Sequence, residues 1–431
     1  QSLDSLTVIW ANHQSQTLYK IKSNQTLTLK QKEATATHTF SPKPSPSSPL
    51  FEDVSEEMNL DYVHLENNFI EFNREPLIPH MVSTEGPALA VADINGDGKE
   101  DFYVGGAKHQ SGLIFLQTAN GFEKIKPPVF AADSVAEDVK ALFFDADNDQ
   151  DLDLLVLSGG NEFFGKSPHM LPRLYLNDGQ GNFEKSLKAF QNCYLTGGDI
   201  ALSDFDKDGD IDVFIGARAV PRNYGEIPEN FLFENDGKAN FKDITAQHPD
   251  LQKLGLIKSA AWGDLDKDGY EELIVVGEWV PISIFKNQKG KLQKINPKDT
   301  GLAFSNGFWN TVKLADIDQD GDLDLVCGNM GLNSKLQASQ EHPIQMYVGD
   351  FDENKQVEQL LYTFHRGKDR LFATKDEISK QLTMINKKFL SYQAYANAAS
   401  EEIIDPEKLK KALKFNVYEM QSCLFINEGN F

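Results

Sequence analysis

The chain has 431 residues, with 65 acidic against 42 basic side chains and a formal charge of −23. That balance excludes phosphate neutralisation of nucleic acid and a polybasic hold on anionic lipid. Apolar residues at 40% and aromatics at 10% exclude disorder as the default state, and no apolar run reaches the ~18 residues of a membrane-spanning helix. Cys193, Cys327 and Cys423 are far apart and without a C-x-x-C pair, so they read as free thiols.

Residues 1–34 read as short strands over Leu6–Trp10, Thr17–Ile21 and Gln25–Lys30. A chain that begins inside such a run, without Met and without a basic-then-apolar leader, is expected to be a piece of a longer protein. Residues 35–50 are rich in Ser, Thr and Pro, with four prolines between Pro42 and Pro49, and read as an extended linker. From 51 to 431 the chain repeats.

Each repeat has two halves. The first is an apolar strand, a nine-residue acidic loop and a second apolar strand; the loops begin at Asp93, Asp145, Asp204, Asp264, Asp316 and Asp350, spaced 52, 59, 60, 52 and 34 residues apart. The second is a hairpin with aromatic flanks and an Asn/Gly turn, as in 174–183, 231–241, 284–292 and 424–431. Four strands per 40–60 residues is the blade of a β-propeller, so the expected fold is all-β, a propeller of four-stranded antiparallel blades. Six repeats are visible, and seven are expected in the intact protein. The fifth repeat has no clear second hairpin. The sixth has a long excess before its hairpin, with helix signals: a Thr374-to-Glu377 capping box before Ile378, Leu382, Ile385 and Phe389, then Asp405-Pro406 before Leu409 and Leu413. A two-helix insertion over about 366–416 is therefore expected within the sixth blade, and the last blade reads as truncated.

The loops carry the chemistry. Oxygen side chains stand at positions 1, 3, 5 and 9: Asp93, Asn95, Asp97 and Asp101; Asp145, Asp147, Asp149 and Asp153; Asp204, Asp206, Asp208 and Asp212; Asp264, Asp266, Asp268 and Glu272; Asp316, Asp318, Asp320 and Asp324. The carbonyls of position 7 (Lys99, Asp151, Asp210, Tyr270, Asp322) can add a further oxygen. Position 6 is Gly in four of these five loops and Gln150 in the second, where strain is expected. Alternate oxygens on a tight loop suit Ca2+ better than Mg2+, which holds a strict octahedron and its waters. Position 12 is apolar or Cys and strands flank the loop, so these are not EF-hands. Five calcium sites are expected, and a sixth is weighed at Asp350, Asp352, Asn354 and Glu358, which lacks the Gly. The six loops hold 28 acids and four lysines, so the rest of the chain is close to neutral.

Apolar strand, D-x-[DN]-x-D-G-x-x-[DE], apolar strand resembles the FG-GAP/VCBS repeat. The run from Ser5 to Leu29 resembles the end of an ASPIC/UnbV domain, the combination of the cartilage-acidic-protein-like family; 159–162, 277–281 and 328–333 resemble its Bacteroidetes-type members. The resemblance implies a calcium-stabilised propeller on an exported or cell-surface protein, without an established activity.

Strands run antiparallel, so connections from second to third strands lie opposite the acidic loops. They are long, and long loops on a rigid scaffold concentrate binding residues. The expected ligand face holds Phe164, Arg218, Arg222, Tyr224, Trp279, Trp309 and Asn333, aromatic and amide chemistry that suits a protein or carbohydrate partner. Inter-blade packing is the competing role for the tryptophans, and structural ion pairing for Arg218. The sequence carries none of the H-E-x-x-H, G-x-S-x-G or P-loop patterns, so no catalytic residue is named. A polysaccharide hydrolase or lyase and a purely structural spacer remain the alternatives.

Overall fold

The computed structural model describes residues 2–39 and 51–429. The chain divides into two compact units, Gln1–Ser55 and Glu56–Phe431. Most of the Ser/Thr/Pro-rich stretch, from residue 40 to 50, lies outside the described residues, as do 430 and 431.

In the first unit Ser2–Ile9 pairs antiparallel with Gln14–Lys22, and Ala36–Thr37 adds a short third strand beside Gln14 and Ser15. The strand expected at Gln25–Lys30 does not form: this stretch has no ladder partner and leads into a single 3-10 turn at Gln31–Glu33.

The second unit is built from consecutive antiparallel sheets. The first runs Leu89–Ala92, Asp101–Val104, Leu113–Thr118, Gly121–Ile125. The second is Asp138–Phe144, Asp153–Ser158, Arg173–Asn177, Phe183–Lys185. Thr196–Ser203, Asp212–Ala219, Phe231–Glu234 and Lys242–Asp243 form the third, and Leu256–Gly263, Glu272–Glu278, Ser283–Asn287 and Leu292–Lys294 the fourth. In each, strands adjacent in sequence are adjacent in space. First strands of successive sheets pack against one another, and the cores lie between sheets. Ala141, Leu154 and Tyr175 meet Tyr103 and Ile114; Leu155 and Leu174 meet Ile200 and Ile215; Phe214 and Leu232 meet Val275 and Phe285; Ile274 and Ile284 meet Val312 and Leu325. A second strand therefore has apolar neighbours on both faces. This is why Asp153–Ser158, Asp212–Ala219 and Glu272–Glu278 are buried throughout and read as apolar runs rather than as alternation.

The fifth sheet corrects the expected division of the chain. Thr311–Ala315 and Asp324–Gly328 are joined not by a nearby hairpin but by Cys423–Phe425, in register Leu325↔Phe425 and Cys327↔Cys423. The hairpin assigned to the sixth repeat thus completes the fifth, and residues 329–422 are inserted within it. The insertion carries its own four-stranded sheet in the order Lys368–Leu371, Glu358–His365, Ile344–Gly349, Leu413–Val417. Its last strand lies beside its first, so it is not a sixth meander like the other four.

The helices of the insertion start where the caps place them: Thr374 and Glu377 form the capping box of Lys375–Gln381, and Asp405 caps Pro406–Lys411. Five short helices form rather than two. The apolar spacing is kept across a break at Leu382, and Ile378, Leu382, Ile385 and Phe389 share one cluster with Leu360 and Tyr362 of the inserted sheet. The sheet's other face, Met346, Val348 and Leu361, packs on Tyr224, Trp279 and Phe308 of the repeats.

Candidate metal centres and the opposite end

All six acidic loops fold alike. The N–H of position 6 donates to the position 1 carboxylate, from Gly98 to Asp93, Gln150 to Asp145, Gly209 to Asp204, Gly269 to Asp264, Gly321 to Asp316 and Lys355 to Asp350, at 2.8–3.2 Å. The N–H of position 7 donates to position 5, as from Lys99 to Asp97 and Tyr270 to Asp268. Position 6 is left-handed in every loop. The glycines accept this freely, whereas Gln150 (φ 75°) and Lys355 (φ 70°) carry the strain of a side chain there. Position 4 is left-handed too, at Asn148, Lys207, Lys267, Gln319 and Glu353, which the motif alone did not reveal.

Carboxylate oxygens converge to within 4.8 Å in five loops: Asp145, Asp147 and Asp153; Asp204, Asp206 and Asp212; Asp264, Asp266 and Glu272; Asp316, Asp318 and Asp320; Asp350, Asp352 and Glu358. The sixth loop thus gathers its acids as the others do despite losing the Gly. Among the described residues the first loop, with Asn95, brings no such trio together. Several converging oxygens are buried with no hydrogen-bond partner among the described residues: Asp145 Oδ1, Asp147 Oδ1, Asp204 Oδ1, Asp212 Oδ2, Asp352 Oδ1 and Glu358 Oε1. Unpartnered buried carboxylate oxygens facing like charges are costly unless protonated or bound to a cation. Burial pushes Asp153 up to about 7, Asp212 to about 8 and Glu358 to about 7, with the neighbouring loop acids adding to the rise. The donor set is all oxygen, so the residues fit Ca2+.

Except in the first loop, where Lys99 stays with its own loop, the side chains of position 7 turn to neighbouring loops and hairpins. Asn148 donates to Asp210 at 2.6 Å, Lys267 pairs with Asp322, Asp151 lies against Gly179, Lys99 pairs with Asp97, and Lys207 sits over the Tyr270 ring.

The hairpin asparagines do more than turn the chain. Asn177, Asn235, Asn287 and Asn427 each donate their backbone N–H to the position 9 carboxylate of their own sheet. Each side-chain Nδ2 reaches the position 2 carbonyl of the preceding sheet's loop: Ile94, Ala146, Phe205 and Leu265, at 2.7–2.9 Å. Every such Asn therefore stitches one acidic loop to the next. Their recurrence in register was visible in the sequence, and their role was not. Asn287→Ala would leave the buried Phe205 carbonyl and the half-buried Gly290 N–H without their Asn287 partner. The expected loss is about 2–3 kcal/mol in urea unfolding; a loss under about 0.5 kcal/mol would refute the stitch.

The opposite end is not the open face expected. Arg218, Tyr224, Trp279 and Trp309 are 0–2% exposed. Arg218 donates Nε to Glu85 at 3.0 Å and both Nη to Glu278 at 2.7–3.0 Å, and Lys258 also reaches Glu85. The Tyr224 hydroxyl donates to Glu278 at 2.6 Å and accepts from Trp279 Nε1 at 2.9 Å. Trp309 donates to the Ser305 carbonyl and packs between the fourth and fifth sheets. The segment before the first sheet covers this end. Glu71 accepts the N–H groups of Val82 and Ser83 and the Asn161 amide, and Glu75 accepts from Asn161 and from the Tyr224 N–H. These acids occur once rather than in every repeat, so no periodicity pointed to them. Nearby Glu137 is buried, and burial followed by Glu66 and Glu162 pushes it up to about 9. Of the expected ligand residues, Phe164, Arg222 and Asn333 stay exposed, with the Arg222 guanidinium 3.5 Å above the Phe164 ring.

Meandering antiparallel sheets, packed side by side and each opening on an Asp-rich loop, define a β-repeat protein with oxygen-donor loops along one rim. The chain belongs to the FG-GAP-like repeat family, matched over residues 93–156, 145–215, 204–275 and 264–327, together more than half its length. Residues 1–36 match the ASPIC and UnbV family. Cartilage acidic protein 1 of Xenopus tropicalis is 22% identical over 257 residues, which cover 56% of this chain and 38% of that protein, so the match spans well under half the length of this relative. Among solved structures, an Agrocybe aegerita lectin that recognises non-reducing terminal N-acetylglucosamine aligns at 18% identity and TM-score 0.38, over 67% of this chain and 79% of the lectin. Among the described residues no helix is long and apolar enough to cross a membrane.

Proposed function

We propose that the repeats form a calcium-stabilised β-propeller acting as a binding module outside the cell or on its surface. The observation that carries this is the convergence of loop carboxylates, several of whose buried oxygens have no partner among the described residues. Exposed loop sites of this kind suit the high calcium of extracellular surroundings, where modules bind with Kd of about 0.1–1 mM. The ASPIC/UnbV match beside the repeats supports the same placement. Calcium here is structural: it would neutralise the loops, while the exposed Phe164–Arg222 pair and Asn333 at the opposite end would meet a protein or carbohydrate partner.

The test is calcium titration calorimetry on chelator-stripped protein. Five or six equivalents are expected, and Asp145→Asn with Asp147→Asn removes one. A stripped protein that takes up no calcium at millimolar concentration overturns the reading.

A further inference from the structure

The inserted sheet has two sides with different fates. Its repeat-facing side is filled by Met346, Val348 and Leu361. On its other side the five short helices cover Leu360 and the body of Tyr362 and then stop short. Residues two apart on a strand share a face, so Gln345 and Tyr347 lie on one face with Tyr362, which pairs with Gln345, and Phe364, and these four floor what is left uncovered. The turn between Tyr392–Asn397 and Ser400–Ile403 walls it, leaving a half-open hollow of about 620 Å3. That is the size of a small-ligand site.

Its lining has a defined chemistry. Tyr347 and Tyr362 meet edge to face at 5.6 Å, and Phe364 stacks on His342 at 3.6 Å. Planar polar groups surround these rings: Gln345, which already accepts the Tyr347 hydroxyl, Asn397, and Arg370, held by the Ala396 carbonyl through one N–H. The Tyr362 hydroxyl is buried and has no hydrogen-bond partner among the described residues, although Tyr362 is only 3% exposed. A buried hydroxyl left unpaired is costly unless something brings it a partner. The charges on the lining balance, Lys368 and Arg370 against Asp369 and Glu401, which selects against a strongly charged ligand.

We propose that this hollow binds a short neutral oligosaccharide. Sugar rings present an apolar C–H face to aromatic rings and a rim of hydroxyls to planar amides, guanidinium and carboxylate, and this lining offers both. The site lies in a segment that the fifth sheet does not need for its own pairing, and it is separate from the Phe164–Arg222 pair and from the acidic loops of the five repeats; only the Asp350–Glu358 loop joins the two strands that floor it. It therefore stands or falls independently of calcium in the repeats.

The test titrates the full chain, in calcium, with cellohexaose, laminarihexaose, hexa-N-acetylchitohexaose, xylohexaose and mannohexaose by isothermal calorimetry. At least one is expected to bind, at least about tenfold more weakly to Tyr347→Ala. Because Tyr347→Ala could perturb folding, exposed Asn397→Ala and the occluding Ala399→Trp serve as second variants. Both should melt like the parent and lose the binding, while Phe164→Ala and Arg222→Ala should keep it. Absence of binding to every hexasaccharide, or binding unchanged in Asn397→Ala and Ala399→Trp, overturns the proposal.

Discussion

Removing calcium at pH 8 is expected to lower the unfolding temperature of the repeat unit by about 10 °C or more, and at pH 5 by less than half as much. The cause is the position 9 carboxyls, which burial raises to about 7 at Asp153, about 8 at Asp212 and about 7 at Glu358. In the unfolded chain such groups titrate near 4. Between about pH 4 and 8 the metal-free folded chain therefore holds more protons than the unfolded one, and its stability falls as pH rises. A bound cation replaces those protons and reverses the trend. A site filled at a hundredfold excess over Kd adds about 2.7 kcal/mol, so five sites supply on the order of 10 kcal/mol. In a unit of this size that is worth about 1–2 °C per kcal/mol. At pH 5 protons already relieve much of the repulsion, so less is lost on chelation. Differential scanning calorimetry with and without chelator at both pH values is the measurement; equal melting at pH 8 would remove calcium from the account of stability.

The rim and the opposite end differ in how far the sequence reveals them. Period and chemistry coincide in the loops: the same side-chain types recur at the same offsets, so both the strands and the acidic trios could be read from spacing. The hairpin at Cys423–Phe425 shows where spacing misleads. Chain order alone gives it to the nearest preceding loop, at Asp350. Its true partner is fixed in space by Asn427, whose amide reaches Leu265 and whose N–H reaches Asp324. The opposite end has no period. Tyr224 and Trp279 look like ligand-binding aromatics in sequence, and the inserted sheet and residues 67–87, both distant in the chain, close over them beside Phe308. Arg218 likewise has Glu85 as its partner 133 residues away.

That Arg218 network yields the largest single-residue effect. Arg218→Ala is expected to cost about 3–5 kcal/mol in urea unfolding near pH 7. Burial alone would raise Glu278, but Arg218, His80 and the Tyr224 hydroxyl outweigh it and hold the carboxyl well below its usual range. A folded value below the unfolded one gives stability that is present above about pH 4 and lost as pH falls through the folded value. Truncating Arg218 leaves Glu278 buried and charged, with Glu85 kept only by Lys258. The gap between parent and variant should then be widest near neutrality and narrow below about pH 4, where Glu278 of the variant is protonated. Arg218→Lys keeps a charge but not the fork that reaches both carboxylates, so it should fall between the two. Arg218→Met with Glu278→Gln removes the stranded charge and should recover part of the loss, which separates electrostatics from lost packing. A gap that does not change with pH would mean that Arg218 serves the fold by filling space, and that the cover formed by residues 67–87 is held by Glu71 and Glu75 instead.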